Sequence, residues 1–215
     1  MVIGKRSSLF VVPLTAACLF FAVFSVAHGS ELDGAVTIKG GIYSPQQDPV
    51  KDFGSGFNGE ISIGGYFTPN FFFELGVGYF ETKGDGVIFI PGGAIIPAKV
   101  ELAVIPVTAS IKWLYPTGSF EPYVEAGAGV YVADTDLSGG GASLSDRYTN
   151  VGVHLGLGAN FDITKRVFLG VEGRYLWIAE HKFILGQGTE DVELNGITGT
   201  INLGYRFGYG SESGK

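Results

Sequence analysis

With 215 residues, 46% of them hydrophobic and only 16% charged, the chain has room for one domain and is too apolar to be disordered. Glycine reaches 35 residues without a collagen repeat, which points to an unusual β architecture. The net charge is −7 and no basic cluster follows Lys5 and Arg6, which argues against a nucleic-acid partner.

The N-terminus has the pattern of a secretory signal: Lys5 and Arg6, an apolar run from Leu9 to Ala27, and small residues at Ser25 and Ala27 before His28. Cleavage there would leave residues 28–215 as a single barrel domain and remove Cys18, the one cysteine. A thiol-free mature chain suits an oxidising compartment. Two other readings are a retained membrane anchor and a lipoprotein box at Thr15–Cys18, although apolar residues continue past that cysteine.

From residue 34 onward the chain alternates with period two, the mark of a strand with two unlike faces. The first predicted strand, 34–43, sets Val36, Ile38 and Ile42 against Thr37, Lys39 and Tyr43. A polar loop with Ser44-Pro45 and Asp48-Pro49 follows. The second strand sets Ile61, Ile63 and Phe67 against Glu60, Ser62 and Gly64, and Thr68-Pro69-Asn70 turns the chain. The third alternates Phe71, Phe73, Leu75, Val77 and Tyr79 with Glu74, Gly76 and Gly78.

A long connection is expected over 81–99. The fourth strand then sets Ala103, Ile105, Val107, Ala109, Ile111 and Trp113 against Thr108, Ser110 and Lys112. Pro106 removes a ladder donor there, so a bulge or local distortion is expected. After a turn at 116–119, the fifth strand alternates Val124, Ala126, Ala128, Val130 and Val132 with Tyr123, Glu125, Gly127, Gly129 and Tyr131. A second loop spans 134–148. The sixth strand, 150–162, sets Val151, Val153, Leu155, Leu157, Ala159 and Phe161 against a face that is mostly glycine, with His154 among them. The seventh places Glu172 and Arg174 on its polar face, a third loop covers 180–193, and the eighth carries Asn202 and Arg206.

A glycine-rich polar face suits the crowded inside of a narrow barrel. The apolar face would then meet lipid, where a Lys or Arg near the midplane costs roughly 2–4 kcal/mol. None of the outward residues above is charged. Aromatics gather beside the short turns, at Phe67, Phe71, Trp113, Tyr115, Phe120, Phe161, Phe168 and Phe207, and near the long loops at Phe57, Tyr79, Tyr131, Tyr148 and Trp177. These resemble interface girdles. The competing architecture is a soluble up-and-down barrel with the faces reversed.

The expectation is therefore all-β: an eight-stranded antiparallel up-and-down transmembrane β-barrel. It would have four long extracellular loops, short periplasmic turns, both termini periplasmic, and a short C-terminal tail over 208–215. Location in the outer membrane implies outer-membrane lipid and the barrel-assembly machinery as partners.

The inward charges Lys39, Lys112, Arg174 and Arg206 oppose Glu60, Glu74, Glu125 and Glu172, with His154 on the same face. They would line the lumen as a paired network, read either as a plug or as a polar constriction in a channel. The stretch Val87, Ile88, Phe89, Ile90 to Ile95 and Ile96 is uncharged and would collect a small apolar ligand, or else pack against lipid or a neighbouring barrel. No cofactor or metal site is expected. Gly54–Gly59 fits a dinucleotide fingerprint but has no helix behind it. Asp134–Gly139 imitates half a calcium loop with Ser145 where Glu is needed. His154 and His181 have no evident Ser/acid partners, so no enzyme is expected.

The segments Ile105-Pro106-Val107-Thr108, Ile111-Lys112-Trp113, Phe120–Gly129 and Val167–Ile178 resemble the middle and seventh strands of OmpW-family proteins, and the run 120–129 also resembles OmpA-like and OmpX-like small barrels. That resemblance implies an eight-stranded outer-membrane barrel that passes or binds small hydrophobic compounds. The alternative function is a structural or surface-interaction barrel with a plugged lumen.

Overall fold

The computed structural model describes residues 33–46, 54–90, 94–139, 142–179, 181–185, 188–192 and 194–208. The proposed signal segment and the tail beyond 208 lie outside these residues. Eight strands close into one barrel: β1 (Gly34–Pro45), β2 (Gly56–Thr68), β3 (Phe71–Ile90), β4 (Ala94–Leu114), β5 (Phe120–Gly139), β6 (Ala142–Asp162), β7 (Val167–Ile178) and β10 (Gly196–Phe207). Each pairs antiparallel with its chain neighbour, and β1 closes the ring against β10. A small separate hairpin joins β8 (His181–Leu185) to β9 (Gly188–Val192). Closure gives every strand two partners and leaves no edge within the wall.

Alternation decides which way the residues face. Ile38, Ile61, Leu155, Leu157, Val171 and Ile201 point outward and are half exposed or more, whereas Lys39, Ser62, His154, Glu172 and Asn202 point inward and are buried. The faces are therefore those of a membrane barrel, not of a soluble one. Among the described residues, the outward positions between the two aromatic belts carry no charge. Near the short turns, Phe67 stacks on Phe71 with ring centroids 5.7 Å apart, and Phe120 meets Phe161 at 4.9 Å. At the other end Tyr175 meets Trp177 at 4.5 Å. Two aromatics expected near these belts point inward, Phe168 and Tyr148, and Tyr131 is buried on the inward face already read for it.

Two of the expected long loops are largely strand. The 81–99 connection is a continuation of the β3–β4 hairpin, with Val87 opposite Pro97 and Ile90 opposite Ala94. Likewise 134–148 continues β5 and β6, paired from Asp134–Arg147 to Gly139–Ala142. A strand crossing the bilayer needs only about 9–11 residues. With 20 in β3 and 21 in β4, these hairpins stand well clear of the wall.

Pro106 produces no bulge. The β3–β4 register is the same on both sides of it, but the pairs Gly78–Pro106 and Tyr79–Ile105 are missing from the ladder. The register shift that does occur lies between β2 and β3, at Tyr66/Thr68. The turn after β4 needs Gly118, whose φ of 72° disfavours any side chain.

Candidate functional site: the barrel interior

The inward side chains stack in three layers. An apolar layer at the long-hairpin end contains Tyr43, Phe80, Val104, Tyr131 and Leu176. Tyr43 packs on Phe80 at 4.3 Å and donates its hydroxyl to the Leu194 carbonyl at 3.0 Å. A second apolar layer at the short-turn end contains Ala35, Phe72, Leu114, Tyr123 and Phe168. The charged layer lies between them.

In that middle layer three cations meet four carboxylates. Lys39 Nζ reaches Glu60 at 2.8 Å, Glu74 at 2.7 Å and Glu172 at 3.2 Å. Lys112 Nζ reaches Glu74 at 3.0 Å, Glu172 at 3.2 Å and Glu125 at 3.6 Å. The Arg174 guanidinium touches Glu60 at 2.7 Å, Glu172 at 2.9 Å and Glu74 at 3.4 Å, and its Nε donates to Glu125 Oε1. Tyr123 donates its hydroxyl to Glu172 Oε2 at 2.8 Å. All seven charged side chains are at most 8% exposed, so these pairs are shielded from water. In such surroundings an ion pair is stable only when its remaining hydrogen-bonding groups are also satisfied.

Register and glycine make this assembly fit. Lys39 sits directly across from Glu60, and Lys112 from Glu125. Gly156 lies between Glu125 and Arg174 on the neighbouring strands. A Cβ on Gly156 would approach Glu125 Oε1 to 2.8 Å and Arg174 Cγ to 3.0 Å. The glycine face read from β6 is thus the space that the long charged side chains occupy.

Arg206 is not part of this layer. It lies nearer the short turns, bonded to Asp162 at 2.5 Å, Glu121 at 3.1 Å and the Tyr66 hydroxyl at 3.1 Å, with its guanidinium 4.6 Å over the Phe168 ring. Glu121 and Asp162 are ionic partners of Arg206 that the sequence reading missed. Asp162 already stood on the inward parity of β6, which was the available signal.

His154 is also apart from the ion pairs. Its Nε2 and the Ser110 hydroxyl are 2.9 Å apart, both residues buried, and Nδ1 has no hydrogen-bond partner. No acid therefore orients this Ser–His pair as a nucleophilic triad requires. The side chains of Val87, Ile88, Phe89, Ile90, Ile95 and Ile96 lie outside the described residues, as does that of His181; the structure places the first six only as backbone, in the β3–β4 hairpin. Asp134, in the imitated calcium loop, is instead paired with Arg147 at 2.5 and 2.8 Å. Carboxylate oxygens of Glu74, Glu125 and Glu172 lie within 4.8 Å of one another, as metal ligands would. The Lys39, Lys112 and Arg174 head groups already hold those oxygens.

Two small cavities flank the charged layer. One lies beside Tyr66, Phe72, Tyr123 and Asn202, the other beside Phe80, Pro106, Tyr131 and His154, each about 20 Å³. That is room for roughly one water. An eight-stranded barrel is just wide enough for its own side chains to fill, and among the described residues the three layers occupy that space.

Comparison with known proteins agrees with this architecture. The outer membrane protein OprG from Pseudomonas aeruginosa shares 19% identity over 81% of this chain and 96% of its own, with a TM-score of 0.58. A major outer membrane protein from Thermus thermophilus shares 13% identity over 82% of this chain and 99% of its own, with a TM-score of 0.56. At these identities the likeness is one of fold. No curated protein matches the sequence. The family model described as the outer membrane protein beta-barrel domain matches residues 16–207, so the chain belongs to that family and its place is the outer membrane.

Proposed function

We propose that this barrel works at its outer face, as a structural or surface-contacting element, and that its lumen carries no axial flow. One observation supports this reading above the others: among the described residues the interior holds two apolar layers with a buried, ion-paired layer between them. A solute moving along the axis would have to break several buried ion pairs together. In this reading the short turns and both chain ends face the periplasm, and the β3–β4 and β5–β6 hairpins project from the cell. The barrel-assembly machinery inserts the chain, and lipid is its standing partner. The test is the conductance of purified, refolded protein in planar lipid bilayers. No unitary steps are expected. Steps whose size changes in Lys112→Gln or Glu125→Gln would overturn the proposal in favour of a channel.

A second reading, binding or sideways passage of small apolar molecules, is favoured by a specific feature. The β3–β4 ladder lacks two pairs at Pro106, and Pro106 also lines one of the two cavities. The resemblance of 105–108 to OmpW-family strands points the same way, and the uncharged 87–96 hairpin would be the collecting surface. Titration with an apolar fluorescent naphthylamine separates the two readings. Saturable binding that Pro106→Val weakens supports this second one, whereas identical partitioning by both proteins removes it.

A further inference from the structure

The ionic layer is one charge out of balance. Glu60, Glu74, Glu125 and Glu172 face Lys39, Lys112 and Arg174, and among the described residues no fourth cation reaches the carboxylates. The further titratable groups facing the layer are Tyr123, Tyr131 and the Ser110-bonded His154; Thr198, Thr200 and Asn202 beside it carry no charge. Arg206 is engaged by its own two acids nearer the short turns, where Asp162 is 31% exposed and open to solvent. A buried uncompensated charge is costly enough that a titratable group neutralises instead.

We infer that the layer holds one proton, carried by the Glu125 carboxyl, and is electrically neutral within the membrane. The hydrogen bonds and ion pairs single out that residue. Each of the four carboxylates has two oxygens, and seven of these eight have a donor close by. Glu60 is held by Lys39 and Arg174, Glu74 by Lys39 and Lys112, Glu172 by Lys39, Lys112, Arg174 and Tyr123, and Glu125 Oε1 by Arg174. Glu125 Oε2 alone is buried without a hydrogen-bond partner, and its nearest cation, Lys112 Nζ, is 3.6 Å away. An oxygen that accepts nothing is where a proton disturbs nothing. Carboxylate oxygens of Glu74 and Glu172 lie within 4.8 Å of a Glu125 oxygen, so a small side-chain shift brings the new O–H an acceptor. His154 is the competing carrier, but Nδ1 has no acceptor beside it, so a proton there would create a buried donor with no partner. A metal ion would have to displace ammonium groups that already sit at 2.7 to 3.2 Å from Glu74 and Glu172.

Infrared spectroscopy of the refolded barrel in deuterated buffer at neutral pH tests this. A carbonyl stretch of a protonated carboxylic acid is expected in the wild type. It should disappear in Glu125→Gln, persist at a shifted frequency in Glu125→Asp, and persist unchanged in His154→Gln. Glu125→Gln should unfold at the same urea concentration as the wild type, because it keeps the shape and charge of the protonated acid. Glu172→Gln removes a true anion from three cations and should unfold at markedly lower urea. Four outcomes overturn the inference: no protonated-carboxyl band in the wild type, a band that survives in Glu125→Gln, an imidazolium signature lost in His154→Gln, or stabilisation by sodium at fixed ionic strength that requires Glu125.

Discussion

Removing the Arg174 guanidinium is the sharpest test of the ionic layer. It contacts all four carboxylates, reaching Glu60 at 2.7 Å, Glu172 at 2.9 Å and Glu74 at 3.4 Å, and donating to Glu125. Arg174→Met keeps much of the stem and deletes the charge. Four buried carboxyl groups, three of them anions once Glu125 carries its proton, would then share two lysines, and Glu60 Oε2 and Glu125 Oε1 would lose the donors that the structure gives them. Breaking a buried pair from one side costs about 3–5 kcal/mol because the orphaned charge remains in a low dielectric. That is the expected loss. Equilibrium urea unfolding in phospholipid vesicles measures it, with Trp113 and Trp177, both on the lipid-facing surface, as reporters. Arg174→Met/Glu60→Gln should recover part of the loss, since the second change removes one orphaned anion; contacting residues couple by about 0.5–3 kcal/mol. A loss under about 1 kcal/mol, the range of exposed pairs, would mean that the layer is hydrated and that burial does not govern its energy.

Two further substitutions probe the wall. Leu155→Arg places a cation on the outward face of β6, where Leu155 is 55% exposed between Ala126 and Tyr175; it should cost roughly 2–4 kcal/mol in vesicles, and a neutral result would mean that this face does not meet acyl chains. Gly158→Val puts a branched side chain where even a Cβ would come within 2.5 Å of the Tyr123 hydroxyl. It should displace Tyr123 from Glu172 and destabilise by about 1–3 kcal/mol, the usual range for overpacking, and wild-type stability in that variant would show that the interior is looser than drawn.

Much of the fold was legible because the bilayer enforces a simple code. Each residue that crosses lipid must be uncharged if it faces out, and period two carries that demand directly into the sequence, as at Ile61/Ser62 or Val171/Glu172. Beyond the aromatic belts the demand lapses. Residues 81–99 and 134–148 mix apolar, acidic and small residues with no single buried face, so they look like loops; their backbone pairs all the same, because each hairpin prolongs a ladder that the wall has already registered. Phe168 was misplaced for a related reason. It is close to a short turn in sequence, yet its parity turns it inward to pack under Arg206.

Parity also explains why the site was only half legible. It says whether a side chain faces the axis but not at what height, and height is what decides who meets whom. Height is set by the stagger between strands, and no single strand contains it. Arg206 has the same inward parity as Lys39, Lys112 and Arg174, so charge counting placed it among them. In the closed ring Lys39 is opposite Asn202, while Arg206 is opposite Ala35, four residues closer to the short turns. At roughly 3.3 Å per residue that is about 13 Å along the strand, too far for a guanidinium to join the central carboxylates. The same stagger brings Glu121 and Asp162 to Arg206, and so divides what looked like one balanced set of eight charges into two clusters, each short of a cation. The lower cluster opens to water through Asp162 and has solvent to screen it. The central one is buried, with every charged side chain at most 8% exposed, and the proton inferred on Glu125 balances it.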